Sequence, residues 1–354
     1  MSTPPAAKAR RWWTFRVRTM MGIILVAAVI FAVAHRAESQ RKAVVAVIAG
    51  GGKVYYAWQW DNGRYNRSGK PPRPSWLRNV LGPDYFDTVV AVDLSRANSA
   101  DELMPQVARL GSIENLRPGT SITDAGLAHL EALTGLRSLS INSFHVTGKS
   151  LAHLRRMKDL QRLNLYLMPV TDRDLAALEG LQSLETFSMM SPRITDAGLV
   201  HLRGMKTLRS LSLSGPGITS AGLGHFVAMD RLEELSLTNT GVRSLEPLRP
   251  LSNIKSLYLN ESPVDDDGLR CVPELRGLTT LELQGTKVTD IGLGHLARLS
   301  RIEILGLSST ATTDEGISKL SGLKTCKMLD FSSTRATPTG KASLQSALPE
   351  ALVH

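Results

Sequence analysis

The sequence predicts an α/β fold, a curved solenoid or horseshoe with a parallel sheet on its concave face and short helices on its convex face. An N-terminal transmembrane helix and a small cap precede it. Three observations lead there. From Val89 almost to the C-terminus the chain repeats itself with a 24-residue beat. Within each unit the apolar spacing changes from the period of a strand to that of a helix. Residues 19–34, TMMGIILVAAVIFAVA, form an uncharged run behind a basic leader and resemble nothing that follows.

The beat is plain when the chain is written in register. LRSLSINSFHVTGKSLAHLRRMKD begins at Leu136, LQRLNLYLMPVTDRDLAALEGLQS at Leu160, LETFSMMSPRITDAGLVHLRGMKT at Leu184 and LRSLSLSGPGITSAGLGHFVAMDR at Leu208. Further units open at Leu232, Ile254, Leu278, Ile302 and Cys326, and two weaker ones at Val89 and Ile113 precede them, eleven in all. One such unit cannot bury its own leucines, so the units must stack around a continuous core. Eleven strands at ~4.8 Å spacing make a sheet roughly 50 Å long.

Each element of the unit has a physical reason. Leu139 and Ile141 alternate, as a strand with one buried face requires. Leu151 and Leu154, joined by Met157, follow the spacing of one helical face. Between the two halves stand Thr147, Thr171, Thr195, Thr219, Thr289, Thr313 and Thr337, helix N-cap residues whose side-chain oxygen accepts from the first turn. Asp172, Asp196, Asp266, Asp290 and Asp314 follow an N-cap or its equivalent, where the helix dipole favours negative charge. Glycine recurs three residues after the cap (Gly126, Gly198, Gly222, Gly268, Gly292 and Gly316), although inside a helix it costs up to ~1 kcal/mol relative to Ala. Its use predicts that neighbouring turns pack where a Cβ would collide. The unit at 232–253 is two residues short, and Pro247 and Pro250 predict a 3₁₀ segment there.

The consensus L-x-x-L-x-L-x-x-T-x-I/V-T-D-x-G-L-x-x-L resembles the leucine-rich repeat superfamily over residues 89–350, about three quarters of the chain. It is most similar to the T-D-x-G-L repeats of bacterial membrane-anchored leucine-rich repeat proteins, and also to those of F-box-type proteins. The short unit resembles a 22-residue internalin-type repeat. The resemblance implies a binding scaffold rather than an enzyme. One departure stands out. The ninth position, often Asn in the superfamily, is Phe144, Met168, Pro192 and Pro216 in the early turns, then Thr or Ser from Thr240 onward. An asparagine ladder is therefore absent from the early turns.

The first 88 residues read differently, as a basic cytoplasmic tail (1–18), a transmembrane anchor or signal peptide (19–36) and an N-terminal cap (37–88). Arg18 and His35 can snorkel, and Trp12, Trp13 and Phe15 suit a membrane interface. Ala32-Val33-Ala34 offers a cleavage site, after which the protein would be secreted. The preferred reading is an uncleaved single-pass anchor. Its basic residues precede the apolar run, which puts the N-terminus in the cytoplasm and the repeats outside it. Of the net charge of +10, residues 1–42 supply +7 and residues 43–88 supply +3, whereas the array balances 28 basic against 28 acidic residues. The basic character thus belongs beside the membrane, and no nucleic-acid partner is expected.

Within the cap, residues 41–48 read as a short helix ended by Gly50, Gly51 and Gly52. Val54, Tyr56, Trp58 and Trp60 alternate as in a strand, Asp61, Asn62 and Gly63 form a hairpin-type turn, and residues 71–74 are a stiff connector. Ser75 opens a helix carrying Trp76, Leu77, Val80 and Leu81, stopped by Gly82 and Pro83. All 5 Trp precede the repeats. Trp58, Trp60 and Trp76 are expected to cover the first turn, with an aromatic platform for a sugar or peptide as the alternative. At the other end Leu344, Leu348 and Leu352 are expected to close the core.

The chemistry is sparse. Cys271 and Cys326 lie three units apart, ~15 Å in strand spacings, too far for a disulfide. His129, His153, His201, His225 and His295 form a broken file on the helical side, read as half-exposed structural positions rather than a metal site or pH switch. No nucleophile elbow, phosphate-binding loop or metal-spaced cluster occurs, so no catalytic residue, metal or cofactor is expected. Binding is assigned to the outward strand positions, a small and hydroxyl-rich surface on which larger or charged side chains are the candidate anchors. These are Arg162, Tyr166, Met190, Glu234, Tyr258, Asn260 and Glu282. The expected partner is a protein or glycan rather than a small-molecule substrate. An intracellular adaptor of F-box-like type is the alternative.

Overall fold

The computed structural model describes residues 6–61, 64–71 and 75–354. The turn expected at Asn62 and Gly63, most of the connector at 71–74, and the side chains of Trp12, Trp13 and Phe15 lie outside the described residues.

The repeats wind into one solenoid around one core. Ahead of the array come β1 (Lys53–Tyr56) and a small antiparallel pair, β2 (Trp60–Asp61) with β3 (Arg64–Tyr65). The repeat strands are β4 (Val89–Asp93), β5 (Asn115–Arg117), β6 (Ser138–Asn142), β7 (Arg162–Tyr166), β8 (Thr186–Met190), β9 (Ser210–Thr219) and β10 (Glu234–Ser236). After the two-residue β11 (Thr240–Gly241), paired beside β9, come β12 (Ser256–Tyr258), β13 (Thr280–Glu282), β14 (Ile304–Gly306), β15 (Met328–Asp330) and β16 (Leu352–Val353). Along the main path all neighbours are parallel except β1, which runs antiparallel to β4 at the N-terminal edge.

The register never slips along one inward row. Leu139 pairs with Leu163, then Phe187, Leu211, Leu235, Leu257, Leu281, Leu305 and Leu329 in succession. Every member of that row is fully buried. A one-residue slip would turn the whole row to solvent, so the buried face dictates the register. Side chains between these positions, such as Ser210 and Ser212, are half-exposed on the concave face.

On the convex side the units divide between α-helices of one or two turns, such as Asp124–Leu127, Asp196–Leu199 and Asp290–Leu296, and 3₁₀ segments, such as Gly148–Arg156 and Gly222–Phe226. The short unit forms the expected 3₁₀ turn at Glu246–Leu248. Thr195, Thr219, Thr289 and Thr337 accept from a first-turn amide as expected of N-caps, Thr147 and Thr313 do not, and the recurring Thr-Asp pair has a further role. Thr195, Thr219, Thr289, Thr313 and Thr337 each donate their backbone amide and hydroxyl to the two carboxylate oxygens of one Asp in the preceding turn. Those acceptors are Asp172, Asp196, Asp266, Asp290 and Asp314, at 2.7–2.8 Å from the amide and 2.5–2.7 Å from the hydroxyl. The bonds from Thr337 hold the Asp314 carboxyl below its ordinary pKa. The recurring glycine is the space for this group: a Cβ on Gly198, Gly222, Gly292 or Gly316 would collide with the same carboxylate. Thr-Asp-x-Gly is therefore a staple between turns.

One turn inverts the staple. Gly148 stands where the acidic residue belongs, and Asp174 stands in the next turn where the glycine belongs. Asp174 accepts from the Thr171 amide at 2.8 Å and hydroxyl at 2.7 Å, and its carboxylate fills the space that a Cβ on Gly148 would need. The space between these two turns still holds one carboxylate, whereas at the short unit the Ser220 hydroxyl takes that place and accepts from the Arg243 and Ser244 amides at 3.0 and 2.8 Å.

The two ends depart from expectation. Residues 41–48 are not a separate helix. They are the end of α1 (Ala6–Ala49), which runs without a break from the apolar segment to the glycines. Over residues 19–36 α1 is almost wholly exposed, but Ala37, Gln40, Ala43, Val44 and Val47 are buried. The last three join the core with Leu103, Met104 and Val107, so α1 covers the first turn where tryptophans were expected. Trp76, on α2 (Ser75–Leu81), is 65% exposed. The strand expected over residues 54–60 breaks at a 3₁₀ turn, Ala57–Gln59, and Trp58 packs its ring under the Arg78 guanidinium at 5.2 Å. Gly82 ends α2 with φ +92°, as expected of a glycine stop. At the C-terminus Leu344 and Leu348 are buried, but Leu352 is 51% exposed because β16 presents its neighbours Ala351 and Val353 to the core instead. Both cysteines are buried and free.

Two expectations follow. Leu211→Asp buries an unpaired carboxylate at the middle of the stack and is expected to cost several kcal/mol, whereas Ser212→Asp, facing out, is expected to be tolerated; thermal melts of both read the difference, and equal losses would refute the register. The inverted staple supplies the second. Gly148→Asp alone crowds two carboxylates into one space, and Asp174→Gly alone strips the Thr171 donors, each costing about 1–3 kcal/mol. Combined, they restore the regular pattern and should melt close to wild type, so simple additivity of the two losses would contradict the staple.

Candidate binding surface

The concave rows come from the second of the two strand faces, so their chemistry is set by what the core leaves over. Along most of the array they carry Ser, Thr and Asn. Three places differ.

The first is an apolar groove of about 460 Å³ on the rim where β6 to β9 turn toward the convex side. Phe144, Leu167, Met190, Pro192, Arg193 and Pro216 are among its walls. Phe144 is 71% exposed and Met190 42% exposed. Leu167 takes a left-handed φ of +61°, a conformation costly for a branched side chain and held here by the surrounding turns. The groove exists because of the ninth repeat position. In later turns Thr240, Thr286, Thr310 and Thr334 occupy it and donate their hydroxyls to the carbonyl three residues back at 2.6–2.8 Å, which seals the rim. Phe144, Pro192 and Pro216 have no hydroxyl to turn inward. The missing asparagine ladder is thus replaced by a hydroxyl ladder in one half of the array and by an apolar rim in the other.

The second place is an aromatic cleft over the N-terminal strands. Tyr55 packs on Trp60 at 5.1 Å and on Tyr65 at 5.5 Å. With Asp93, Asn115 and Arg117 these rings enclose about 240 Å³ on the concave side. Burial, then the charge of Asp93, raises the Tyr55 pKa above its ordinary value. Arg162 lines a second cleft on the other side of Trp60 and donates to the Asn115 side chain at 3.5 Å.

The third is acidic. Glu282 and Asp330 flank Gly306 on the same row of β13, β14 and β15. Burial, and then Asp330, raises the Glu282 pKa above its ordinary value.

The residues singled out from sequence therefore do not meet at one site. Arg162 belongs to the aromatic end and Met190 to the groove. Tyr166 faces the concave side with its hydroxyl 2.8 Å from Ser188, and lines neither pocket. Glu234 accepts from the Ser210 hydroxyl at 3.2 Å. Tyr258 and Glu282 are neighbours on adjacent strands. Asn260 accepts from the Gln284 amide at 2.9 Å, so its carboxamide is engaged by the next turn. Phe144, Pro192 and Pro216 were not among the anchors, yet the same departure at the ninth position marks them.

His153 and His201 are half-exposed, as the sequence reading has them. His153 and His201 contact carboxylates of the preceding turn, Glu131 at 2.8 Å and Glu179 at 2.6 Å, rather than one another. Among the described residues no cluster of His, Cys, Asp and Glu has the arrangement of a metal site.

No protein-family model matches the chain. No curated protein matches it either. Among solved structures it is similar to an internalin (inlF) from Listeria monocytogenes, with a TM-score of 0.55 and 22% identity over 70% of this chain and 75% of that one. A second, internalin C2 (inlC2) from the same organism, matches at a TM-score of 0.43 and 24% identity over 54% of this chain and 87% of that one. Internalins are leucine-rich repeat proteins, and with the parallel sheet and the repeat register the first match shows the fold: this chain is a leucine-rich repeat solenoid behind an N-terminal apolar helix.

Proposed function

We propose that the protein is a membrane-anchored recognition module, without enzymatic activity, that binds a protein partner outside the cytoplasm through the rim groove and the adjoining concave face. The observation that carries this reading is the groove itself. Phe144 and Met190 are exposed large apolar side chains that line the same groove, at the edge of a concave face rich in small hydroxyls. Exposed apolar patches with a polar surround are the usual mark of an interaction site. Apart from Arg193 the walls carry no charge, which suits an apolar side chain of a protein better than sugar hydroxyls. A glycan partner finds better chemistry at the aromatic cleft, where Tyr55, Trp60 and Tyr65 supply stacking faces and Asp93, Asn115 and Arg117 supply hydrogen bonds.

The membrane assignment rests on α1. Residues 19–49 have a mean hydropathy window of 2.1 and only 6% of that window is buried, so the helix is long and apolar enough to span a bilayer. The basic tail at 1–18 supports a cytoplasmic N-terminus. Such an anchor speaks against the intracellular adaptor reading.

Protease added to intact spheroplasts is expected to digest residues 89–354; protection until lysis would reverse the orientation. A partner captured by proximity labelling from the repeats is expected to lose at least ~2 kcal/mol of affinity, about 30-fold, on Phe144→Asp with Met190→Asp. His153→Ala with His201→Ala should leave affinity unchanged. Sensitivity of the histidine pair alone would move binding to the convex side, and selective loss on Trp60→Ala would move it to the aromatic cleft.

A further inference from the structure

The cap carries an apolar surface that neither the core nor the groove explains. Trp76 is 65% exposed, Val80 75%, Leu81 42% and Phe86 42%. They lie on α2 and on the 3₁₀ turn that follows it, Pro83–Tyr85, with Phe86 at its end. A small soluble cap has no need to present four such side chains together.

Their place along α1 says what covers them. Gln40 of α1 is buried and donates to the Asp84 carboxylate at 3.1 Å and to the Asp87 carbonyl at 2.8 Å. Tyr56 donates to the same Asp84 carboxylate at 3.0 Å, and Arg78 of α2 pairs with Asp87 at 2.7 Å. The turn after α2 is therefore pinned at the level of Gln40, and Arg78 ties α2 to it. Burial on α1 begins at Ala37, so the stretch left free to meet lipid is residues 19–36. At ~1.5 Å per residue that stretch rises ~27 Å, close to the ~30 Å of a bilayer's hydrocarbon core. Gln40 then lies ~6 Å beyond its edge, within the headgroup layer. Arg41 and Lys42, both exposed, stand beside it on α1.

We infer that Trp76, Val80, Leu81 and Phe86 form a membrane-docking surface, which rests the cap on the headgroup layer of the same bilayer that α1 crosses. The chemistry is that of interfacial segments: an indole and a phenyl ring with short aliphatic side chains enter the boundary of the acyl region. Arg41 and Lys42 meet the phosphates above them. Two contacts, one through α1 and one through α2, hold the solenoid in one orientation over the membrane where a single helix would leave it free to rotate. This inference rests on α1 being an uncleaved anchor.

The test uses the full-length protein in phosphatidylcholine–phosphatidylglycerol vesicles. Because Cys271 and Cys326 are both buried, a single introduced cysteine is the accessible thiol for an environment-sensitive fluorophore. Three variants are labelled: Phe31→Cys in the span, Val80→Cys on α2 and Ile291→Cys, an exposed position on the convex helix Asp290–Leu296. Nitroxide lipids with the quencher deep in the acyl chain or at the headgroup then report depth. The inference expects quenching of the Phe31→Cys label by the deep probe, several-fold stronger quenching of the Val80→Cys label by the headgroup probe than of the Ile291→Cys label, and matched melting temperatures. A Val80→Cys label quenched no more than the Ile291→Cys label, with the Phe31→Cys label quenched, overturns the docking surface and leaves the anchor standing. An unquenched Phe31→Cys label removes the anchor and the inference together.

Discussion

Between most pairs of stacked turns in this solenoid there is room for one carboxylate, and the architecture is organised around placing it; at the short unit a hydroxyl, that of Ser220, does the same work. The leucine rows close only if the turns approach to strand spacing, which brings backbone amides on the convex side together with nothing of their own to bond. An Asp from one turn satisfies the amide and hydroxyl of the Thr in the next, and the glycine opposite keeps its Cβ out of the way. The inverted pair Gly148 and Asp174 shows that the requirement belongs to the space and not to the sequence position. Either turn can supply the carboxylate provided the other leaves the room.

The same logic explains why the two halves of the array differ. From Thr240 onward a hydroxyl at the ninth position returns to the backbone, and the rim is closed and polar. From Phe144 to Pro216 that hydroxyl is missing. Serines one position earlier supply part of what it would have given. Ser143 donates to the Ile122 carbonyl and Ser191 to the Val170 carbonyl, both at 2.8 Å from inside the core. With the backbone satisfied from within, the ninth position is free to project an apolar side chain outward. In these two turns the donor has moved by one residue, while Leu167 and Gly215 occupy that position in the other two.

The long first helix joins the array to the apolar N-terminal run. Its exposed part has the composition of a span, and its buried part is the lid on the first repeat. A solenoid's open end needs a cover, and here the cover and the apolar span are one continuous helix. The direction in which the concave face and its rim point is then tied to the axis of that helix by the packing of Val44 and Val47 against Leu103 and Met104 rather than by a flexible linker.

The fold class, the repeat boundaries, the strand register, the glycine spacing and the tight turn at Glu246–Leu248 were legible in the sequence, because each follows from periodicity or from a local preference of one residue. Tertiary structure decided whatever depends on which turn a side chain reaches. The partner of each Asp lies 23 residues away in most turns but three residues away at Thr171, and no local rule distinguishes the two. Trp58, Trp60 and Trp76 looked like a lid by composition, yet α1 took that place, since a helix already covering the first turn leaves the rings to stack on Tyr55, to lie under Arg78 or to face outward. Arg162, Tyr166, Met190 and Tyr258 share a face by register but are spread along the arch, because alternation specifies the side of a sheet and says nothing of which strands close into a pocket. The ninth-position residues were visible as an anomaly in the sequence, and only the stacking of four turns made them a surface.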